Sequence, residues 1–124
     1  MNEKRENVLL IKSFAFAIRI VKLYQYLVSE KKEYVITKQL LRSGTAVGAL
    51  VREAQNAESL KDFVHKLGIA QKECDETSYW LELLKATDYI TDKEFASINN
   101  EAVELLKMTR SAIITSKNKL SKNS

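Results

Sequence analysis

Apolar residues recur at alternating spacings of four and three residues along most of the chain, the pattern of helices with one buried face. Over residues 7–31 the predicted core positions are Leu10, Phe14, Ala17, Val21, Tyr24 and Val28. Further apolar residues in this stretch lie off that stripe, among them Ile11, Phe16, Ile18, Ile20 and Leu27. The first predicted helix is therefore apolar well beyond a single face.

Three further stretches carry the same pattern, and each predicts one helix. Over residues 37–57 the predicted core positions are Leu40, Gly44, Val47, Val51 and Ala54. Over residues 60–88 the alternation runs without a miss through Phe63, Leu67, Ala70, Cys74, Thr77, Leu81 and Leu84. Over residues 92–116 it runs through Phe95, Ile98, Ala102, Leu105, Thr109, Ala112 and Ser116. Residues 117–124 have little to bury and are predicted to form a mobile basic tail, and residues 1–6 are predicted to fray.

Polar side chains mark the beginnings of three of these helices. Ser59 and Thr91 each precede an acidic residue by three positions, in Ser59-Leu-Lys-Asp62 and Thr91-Asp-Lys-Glu94, which fits a capping box. Thr37 is the candidate N-cap of the second helix. Since short connections join four long helices and the chain contains no proline, we predict an all-α fold: one domain over residues 1–124, an antiparallel up-down-up-down four-helix bundle.

Two glycines in the second helix predict close helix packing. Gly44 and Gly48 lie four residues apart, hence on one face. A glycine inside a helix costs about 0.5–1 kcal/mol relative to alanine, so two of them need a reason. A close approach to another helix, within the bundle or between subunits, supplies one. Gly68 in the third helix suggests close packing as well.

The charges divide the chain into three segments of alternating sign. Residues 1–52 carry a net +6, residues 53–104 a net −7 and residues 105–124 a net +5. Self-association through unlike segments and binding to polyanions are both compatible with this distribution. The longest apolar run near the start, residues 14–18, is far shorter than the about 20 residues that cross a bilayer. No secretory signal is recognisable, so we expect a cytoplasmic protein with no membrane partner.

Four titratable residues raise an enzymatic alternative to a binding or structural role. These residues are Glu73, Glu76, Asp62 and His65, which a small metal-dependent or carboxylate-based enzyme would use. Ordinary exposed side chains and interhelical ion pairs, with Arg42 or Arg52, are the simpler interpretation. Cys74 occupies a core position, where a thiol behaves as a small hydrophobe. We therefore predict no catalytic residue, no metal ligand and no cofactor, and a non-enzymatic function.

Two sets of residues are candidates for contacts with partners. Tyr79, Trp80 and Leu83 form a second apolar face on the third helix, which either completes the core or contacts another subunit; we predict the subunit contact. The candidate polyanion contacts, for RNA or DNA, are Arg19, Lys22, Arg42, Arg52, Lys107, Arg110, Lys117, Lys119 and Lys122. An ordinary solvated surface is the alternative interpretation of these residues.

Several short segments together resemble one bacterial protein family. They are Gln39-Leu-Leu-Arg-Ser-Gly-Thr-Ala-Val-Gly-Ala, Arg52-Glu-Ala-Gln, Ser59-x-x-Asp-Phe63, Lys66-Leu-x-Ile-Ala70 and Lys72-Glu-x-x-Glu-Thr77-x-x-Trp-Leu81. In this region, residues 39–90, the chain resembles the four-helix-bundle proteins encoded in intervening sequences of 23S ribosomal RNA genes.

The resemblance implies a compact antiparallel bundle that assembles into a ring-like homo-oligomer, a pentamer, and it implies no established enzyme activity. A related branch, the accessory variability determinant of diversity-generating retroelements, is a basic pentamer that binds reverse transcriptase and nucleic acid. This chain departs from that branch in its acidic middle segment and its modest net charge of +4.

Overall fold

The computed structural model describes residues 3–122, with side chains from Val8 onward. Its regular structure consists of four α-helices: α1 (Glu3–Ser29), α2 (Ile36–Gln55), α3 (Leu60–Ala86) and α4 (Asp92–Lys122). No strand occurs over residues 3–122. The predicted all-α class with four helices is therefore confirmed.

The outer ends of the bundle are more helical than the sequence pattern indicated. Helix α1 already includes residues 3–6, whereas residues 1 and 2 lie outside the described part of the chain. Helix α4 continues to Lys122, so the predicted end of this helix at residue 116 is wrong and residues 117–122 of the predicted basic tail are helical; residues 123 and 124 are not described. Lys119 and Lys122 lie in the last turn of α4, where cations interact favourably with the negative end of the helix dipole.

The predicted core stripes of α2, α3 and α4 are confirmed with one exception. Every predicted position of α2 and α3 is buried. In α4 the buried positions run from Ile98 to Ser116, and only Phe95 at the start is half-buried. The regular alternation of four and three residues was sufficient to identify these faces, because polar residues occupy most of the other positions.

The predicted core stripe of α1 is wrong. Phe14 and Val21, two of its members, are 57% and 37% exposed, and the remaining four are half-buried. The buried positions of α1 are Leu9, Ser13, Phe16, Ile20 and Leu27. A serine at a core position concealed this register, and the hydroxyl of Ser13 donates a hydrogen bond to the backbone oxygen of Leu10 at 3.2 Å. Because α1 is apolar on nearly every side, periodicity alone did not select the buried one.

The two glycines of α2 face α1 within the same subunit. A Cβ atom on Gly44 would lie 2.7 Å from Cγ1 of Ile20, and one on Gly48 would lie 3.2 Å from the backbone oxygen of Ser13. Both positions therefore allow α1 to approach the backbone of α2. Around Gly68, by contrast, no atom lies within 4 Å of a Cβ position, so the suggestion of close packing there is wrong.

The beginning of α2 is capped by a residue that the sequence pattern did not single out. Thr37 lies inside α2 and is not its N-cap. The carboxylate of Glu33 instead accepts hydrogen bonds from the backbone amides of Val35, Ile36 and Thr37, at 3.2, 2.9 and 2.7 Å. A buried carboxylate at a helix N-terminus satisfies amides that have no partner within the helix.

The predicted capping box at Thr91 is complete, and the one at Ser59 is present in part. Ser59 is the N-cap of α3, and its hydroxyl accepts from the amide of Asp62 at 3.0 Å. The Asp62 carboxylate accepts from the backbone amide of Glu58, the residue before the N-cap, at 3.3 Å. At the beginning of α4 the two bonds between Thr91 and Glu94 are reciprocal, at 3.0 and 2.8 Å.

Each helix packs mainly against its neighbours in the chain. The α1–α2, α2–α3 and α3–α4 contacts are all extensive, whereas α1 and α4 share a much smaller contact. The boundary between α1 and α4 is therefore the most open one between packed helices, and a cleft lies along it.

Candidate functional site

A row of large apolar side chains on α1 is exposed on the side away from the core. Its members are Ile11, Phe14, Ile18 and Val21, which are 69%, 57%, 43% and 37% exposed. Their spacings of three, four and three residues place them along one side of the helix. We call this row the α1 apolar face. Extended exposed apolar patches on soluble proteins mark interaction sites more often than single apolar residues do.

A groove between α1 and α2 adjoins the α1 apolar face. Leu10, Phe14 and Ala17 line it from α1, and the small residues Thr45, Gly48 and Ala49 line it from α2. The rest of its lining is polar and consists of Arg52, Glu53, Asn56, Glu58, Asp62 and Lys66. Its volume is about 770 Å³. Since Gly48 lacks a side chain, the groove is deeper than it would be with any other residue there. Phe14 belongs to both surfaces, so the convex α1 apolar face and the concave groove are continuous.

The predicted subunit contact on α3 is divided between buried and exposed groups. Trp80 is half-buried and packs against the core, and its indole nitrogen donates to Oε2 of Glu76 at 3.1 Å. Tyr79 is 55% exposed and meets Trp80 edge-on, with 5.0 Å between ring centroids. Leu83 is half-buried. Trp80 thus has a role inside the subunit, and the exposed part of this surface consists mainly of Tyr79.

Arg42 connects α2 to the two carboxylates that raised the enzymatic alternative. Its Nη1 donates to Oε2 of Glu73 at 2.9 Å, and its Nη2 pairs with Glu76. The hydrogen bond from Trp80 lowers the pKa of Glu76, and Arg42 adds to this effect while partial burial opposes it. The bond to Glu76 in turn raises the pKa of Arg42. At neutral pH both carboxylates of this cluster are engaged by one guanidinium, which is the interhelical ion pair weighed in the sequence analysis.

The other two residues of the enzymatic alternative lie at the beginning of α3. Asp62 belongs to the capping box, and His65 is exposed. Over the described residues, no three or more histidine, cysteine or acidic side chains come together in a way that would hold a metal ion. The structure therefore places Glu73 and Glu76 in one cluster and leaves Asp62 and His65 outside it.

Cys74 is buried in the centre of α3. Burial raises the pKa of its thiol to about 12, and the nearby carboxylates of Glu73 and Asp75 contribute in the same direction. A thiol with such a pKa is almost entirely protonated at neutral pH and is a poor nucleophile.

The structure separates the nine candidate polyanion contacts into paired and unpaired groups. Arg19 pairs with Glu101 of α4, and Arg42 pairs with Glu73 and Glu76. For the other seven, no ion pair is found within residues 8–122; these are Lys22, Arg52, Lys107, Arg110, Lys117, Lys119 and Lys122. The basic residues of the first charge segment thus partly neutralise the acidic middle segment within the subunit, and those at the end of α4 do not.

Three of the unpaired residues share one side of α4. Lys107, Arg110 and Lys117 are exposed and lie three and seven residues apart, which places them on the same face. We call these three residues the α4 basic face. Residues 105–124 contain no acidic side chain.

The cleft between α1 and α4 combines apolar, aromatic and basic groups. It has a volume of about 520 Å³ and is lined by Arg19, Lys22, Leu23, Tyr26, Ile90, Lys93, Glu94, Ser97 and Ile98. Tyr26 is 40% exposed, and Lys22 and Lys93 are exposed. Arg19 and Lys22 are among the cations predicted from the sequence, whereas Tyr26 and Lys93 are not, because these two lie on different helices and share no local motif.

No helix in the described part of the chain is long and apolar enough to cross a membrane. The exposed apolar residues of α1 are interrupted by Lys12, Arg19 and Lys22. They thus form a face along one side of the helix, not a continuous apolar segment.

Comparison with known proteins agrees with the fold and with the motifs in α2 and α3. Among solved structures, the chain is similar to the crystal structure of a protein with unknown function from the S23 ribosomal protein family of Bacteroides thetaiotaomicron VPI-5482. The two chains are 54% identical, the similarity covers 88% of this chain and 97% of that one, and the TM-score is 0.87. No significant match is found among proteins of curated function. Residues 5–111 match the family described as 23S rRNA-intervening sequence protein, and this chain therefore belongs to that family.

Proposed function

We propose that this protein is a non-enzymatic assembly protein of the cytoplasm. Its four helices run up-down-up-down, and the bundle associates with copies of itself into a ring-like homo-oligomer, with five subunits as the expected number. RNA or DNA, free or bound to another protein, is the partner of this assembly. The observation that carries the proposal is the α1 apolar face, which has no covering element within the described chain.

Contacts between helices support the up-down course. Gly44 faces Ile20 and Gly48 faces Ser13, so residue numbers rise along α2 as they fall along α1. The same inverse order relates α2 to α3 and α3 to α4, in the pairs Arg42–Glu76 with Glu53–Lys66, and Ser78–Asn99 with Lys85–Phe95.

The shape and chemistry of α1 support a second copy of the chain as the covering partner. A helix that is apolar on nearly all sides is normally buried on nearly all sides. A closed ring with head-to-tail contacts needs two different complementary surfaces on each subunit. The α1 apolar face supplies one such surface, and the exposed Tyr79 on α3 belongs to the predicted second one.

A charge placed on the α1 apolar face tests the assembly. We expect Phe14→Glu to convert the oligomer into single chains, as measured by multi-angle light scattering. Ile114→Glu is the matched control, because Ile114 is 55% exposed and lies on α4; this variant should assemble like the parent. A parent protein that is monomeric at micromolar concentration, or a Phe14→Glu variant that assembles normally, contradicts the proposal.

A second substitution tests the predicted contact on α3. Tyr79→Glu changes the exposed part of that surface without removing the bond between Trp80 and Glu76. If the α3 surface contacts a neighbouring subunit, Tyr79→Glu should also reduce the assembled fraction. Normal assembly of this variant would remove Tyr79 from the interface and leave the α1 apolar face as the proposed contact.

The α4 basic face supports nucleic acid as the partner. Phosphates bind to exposed cations, and no ion pair to Lys107, Arg110 or Lys117 is found within residues 8–122. We expect the double variant Lys107→Gln, Arg110→Gln to bind duplex DNA more weakly in fluorescence anisotropy. The slope of log affinity against log salt concentration should become shallower by about 0.9 for each lost phosphate contact.

Lys38→Gln is the control for this experiment. Lys38 is exposed on α2, so this substitution removes one positive charge outside the α4 basic face. Equal affinities of parent and double variant would remove the α4 basic face from the proposal. Absence of any binding to RNA or DNA at low salt would overturn nucleic acid as the partner.

A further inference from the structure

We propose that the cleft between α1 and α4 binds a nucleobase together with its phosphate, and that it gives this protein a preference for single-stranded over duplex nucleic acid. The inference extends the proposed function and rests on its nucleic-acid part. The proposed site, the cleft between α1 and α4, does not overlap the α4 basic face.

The interior of the cleft is suited to a flat apolar group. Ile90 and Ile98 are 4% exposed and form the base of the cleft with the half-buried Leu23. Tyr26, 40% exposed, presents its aromatic ring at the side. Pockets that bind small planar ligands combine such apolar walls with a few polar groups at the rim. The stacking of a base on an aromatic side chain tolerates any base, because every base has a π-face.

The rim of the cleft is suited to a phosphate. Lys22 of α1 and Lys93 of α4 are exposed, and neither has an ion-pair partner within residues 8–122. Lys22 and Lys93 reach the rim of the same cleft from two helices, so both can contact the oxygens of one phosphate. A group that is aromatic at one end and anionic at the other therefore fits this arrangement better than a purely apolar or purely anionic ligand.

The two remaining charged groups of the cleft are already engaged. Arg19 pairs with Glu101 and also donates to the backbone oxygen and the hydroxyl of Ser97, at 3.3 and 3.2 Å. These contacts hold α1 to α4 at one side of the cleft and leave little of its charge for a ligand. The Glu94 carboxylate accepts from the amide of Thr91 at 2.8 Å as part of the cap of α4. Lys22 and Lys93 are therefore the cations available to a phosphate.

The geometry distinguishes single strands from duplexes. In a duplex every base is paired and stacked between neighbours, so its face is not available to Tyr26. A single strand can turn one base into a cleft of about 520 Å³ while its backbone follows cations along the rim. A duplex would meet only the exposed lysines and the α4 basic face.

Substitution of Tyr26 tests the cleft. We expect Tyr26→Ala to weaken binding of a fluorescein-labelled 12-nucleotide oligouridylate by roughly 5- to 150-fold, the range that loss of one base–aromatic stack produces. Affinity for a duplex of equal length should not change. Tyr26→Phe keeps the aromatic ring and should bind like the parent. Tyr34→Ala is the matched control, since Tyr34 is 55% exposed and lies outside the cleft.

A second variant tests the phosphate contacts. For Lys22→Gln combined with Lys93→Gln we expect the salt slope on single strands to become shallower by about 0.7 for each lost contact. Calorimetric titration with uridine monophosphate measures binding to the cleft alone, because a single nucleotide is too short to contact the α4 basic face at the same time. Binding of the oligonucleotide, by contrast, can involve both surfaces. Thermal unfolding of each variant is the control that checks whether the fold is retained.

The outcomes separate this inference from the function on which it rests. If the α4 double variant weakens binding and Tyr26→Ala does not, the cleft proposal is overturned and the nucleic-acid function stands. If no oligonucleotide binds, but uridine monophosphate binds the parent and not Tyr26→Ala, the cleft is a nucleotide site and the nucleic-acid function is overturned. If neither ligand binds, both proposals are overturned.

Discussion

At the scale of single residues, the three glycines show that the same residue type serves unlike purposes. Gly44 is buried against Ile20, and Gly48 faces the backbone of Ser13. Gly68 has no neighbour within 4 Å of a Cβ position. All three sit inside helices, where glycine has low propensity. Only the tertiary environment distinguishes a glycine that packing requires from one that it does not.

This difference predicts opposite effects of one substitution. Gly44→Ala should lower the free energy of unfolding by about 1–3 kcal/mol, because the new methyl group overlaps Ile20 near its branch point and cannot be relieved by moving a flexible end. Gly68→Ala should raise the free energy of unfolding by up to about 1 kcal/mol. Urea unfolding of the two variants and the parent measures both changes. Changes of the same sign would contradict the assigned environments.

Glu33 is a second residue whose substitution should lower stability, through the beginning of α2. Its buried carboxylate accepts from three backbone amides at the beginning of α2. We expect Glu33→Ala to lower the free energy of unfolding by about 1–3 kcal/mol, since amides that lose a charged acceptor are left with poorer partners. Glu30→Ala, an exposed change in the same connection, is the control and should have little effect. Equal unfolding midpoints of both variants in urea would refute the capping role.

At the scale of elements, α1 and α4 departed most from the sequence prediction. The core side of α1 includes Ser13, whereas its exposed side includes Phe14 and Ile18. Apolar residues of similar size occupy both sides of α1, so the spacing of apolar residues alone indicated the wrong register. In α4 the helix continues past Ser116, although the sequence beyond it offers little apolar surface to bury.

The contact between α2 and α3 gives a pH-dependent prediction. The folded-state pKa of Glu76 lies below its ordinary value of 4.5 because Trp80 and Arg42 favour the ionised carboxylate. A lowered folded pKa contributes stability above the unfolded pKa and loses it as the pH falls through the folded one. Glu76→Gln should therefore be less stable than the parent at pH 7, and the difference should shrink as the pH falls below the ordinary value and through the lowered pKa of the folded state.

Chemical unfolding at a series of pH values measures this difference. Glu82→Gln is the matched control, because Glu82 is exposed on the same helix and no ion pair to it is found among the described residues. A Glu76→Gln effect that is as large at pH 3 as at pH 7 would show that the carboxylate charge is not the source of the stabilisation.

At the scale of the whole molecule, charge is partly neutralised inside the subunit and partly left for partners. Basic residues of α1 and α2 pair with acidic residues of α4 and α3, in the pairs Lys12–Glu104, Arg19–Glu101 and Arg42–Glu73. The modest net charge of +4 therefore understates the local positive charge at the end of α4. Each exposed ion pair of this kind contributes little to stability. Their main consequence is that Lys12, Arg19 and Arg42 are engaged within the subunit, whereas the basic residues at the end of α4 are available to a partner.

Self-association predicts that thermal stability depends on protein concentration. An oligomer that forms only from folded chains is stabilised by mass action, so the unfolding midpoint should rise by several degrees between 1 and 100 µM protein. The monomeric Phe14→Glu variant should show a midpoint independent of concentration. Differential scanning fluorimetry over this range measures both. A parent midpoint that does not change with concentration would speak against assembly through folded subunits.

Much of this protein is determined by its sequence alone. The number of helices, the buried faces of α2, α3 and α4, and the capping boxes at Ser59 and Thr91 depend on local periodicity and on hydrogen bonds within a few residues. The family resemblance rests on motifs in α2 and α3. These motifs include Gly44 and Gly48, which pack against α1, and Ser59, which caps α3.

Only the tertiary structure decided which side of α1 is exposed, and hence the proposed assembly surface. It also brought Tyr26 and Lys93 together, which lie on helices far apart in the sequence. The physical reason is the same in both cases. Where one helix offers several apolar faces, or two helices each contribute one side of a cleft, the outcome depends on which neighbour packs there, and no local pattern in the chain contains that information.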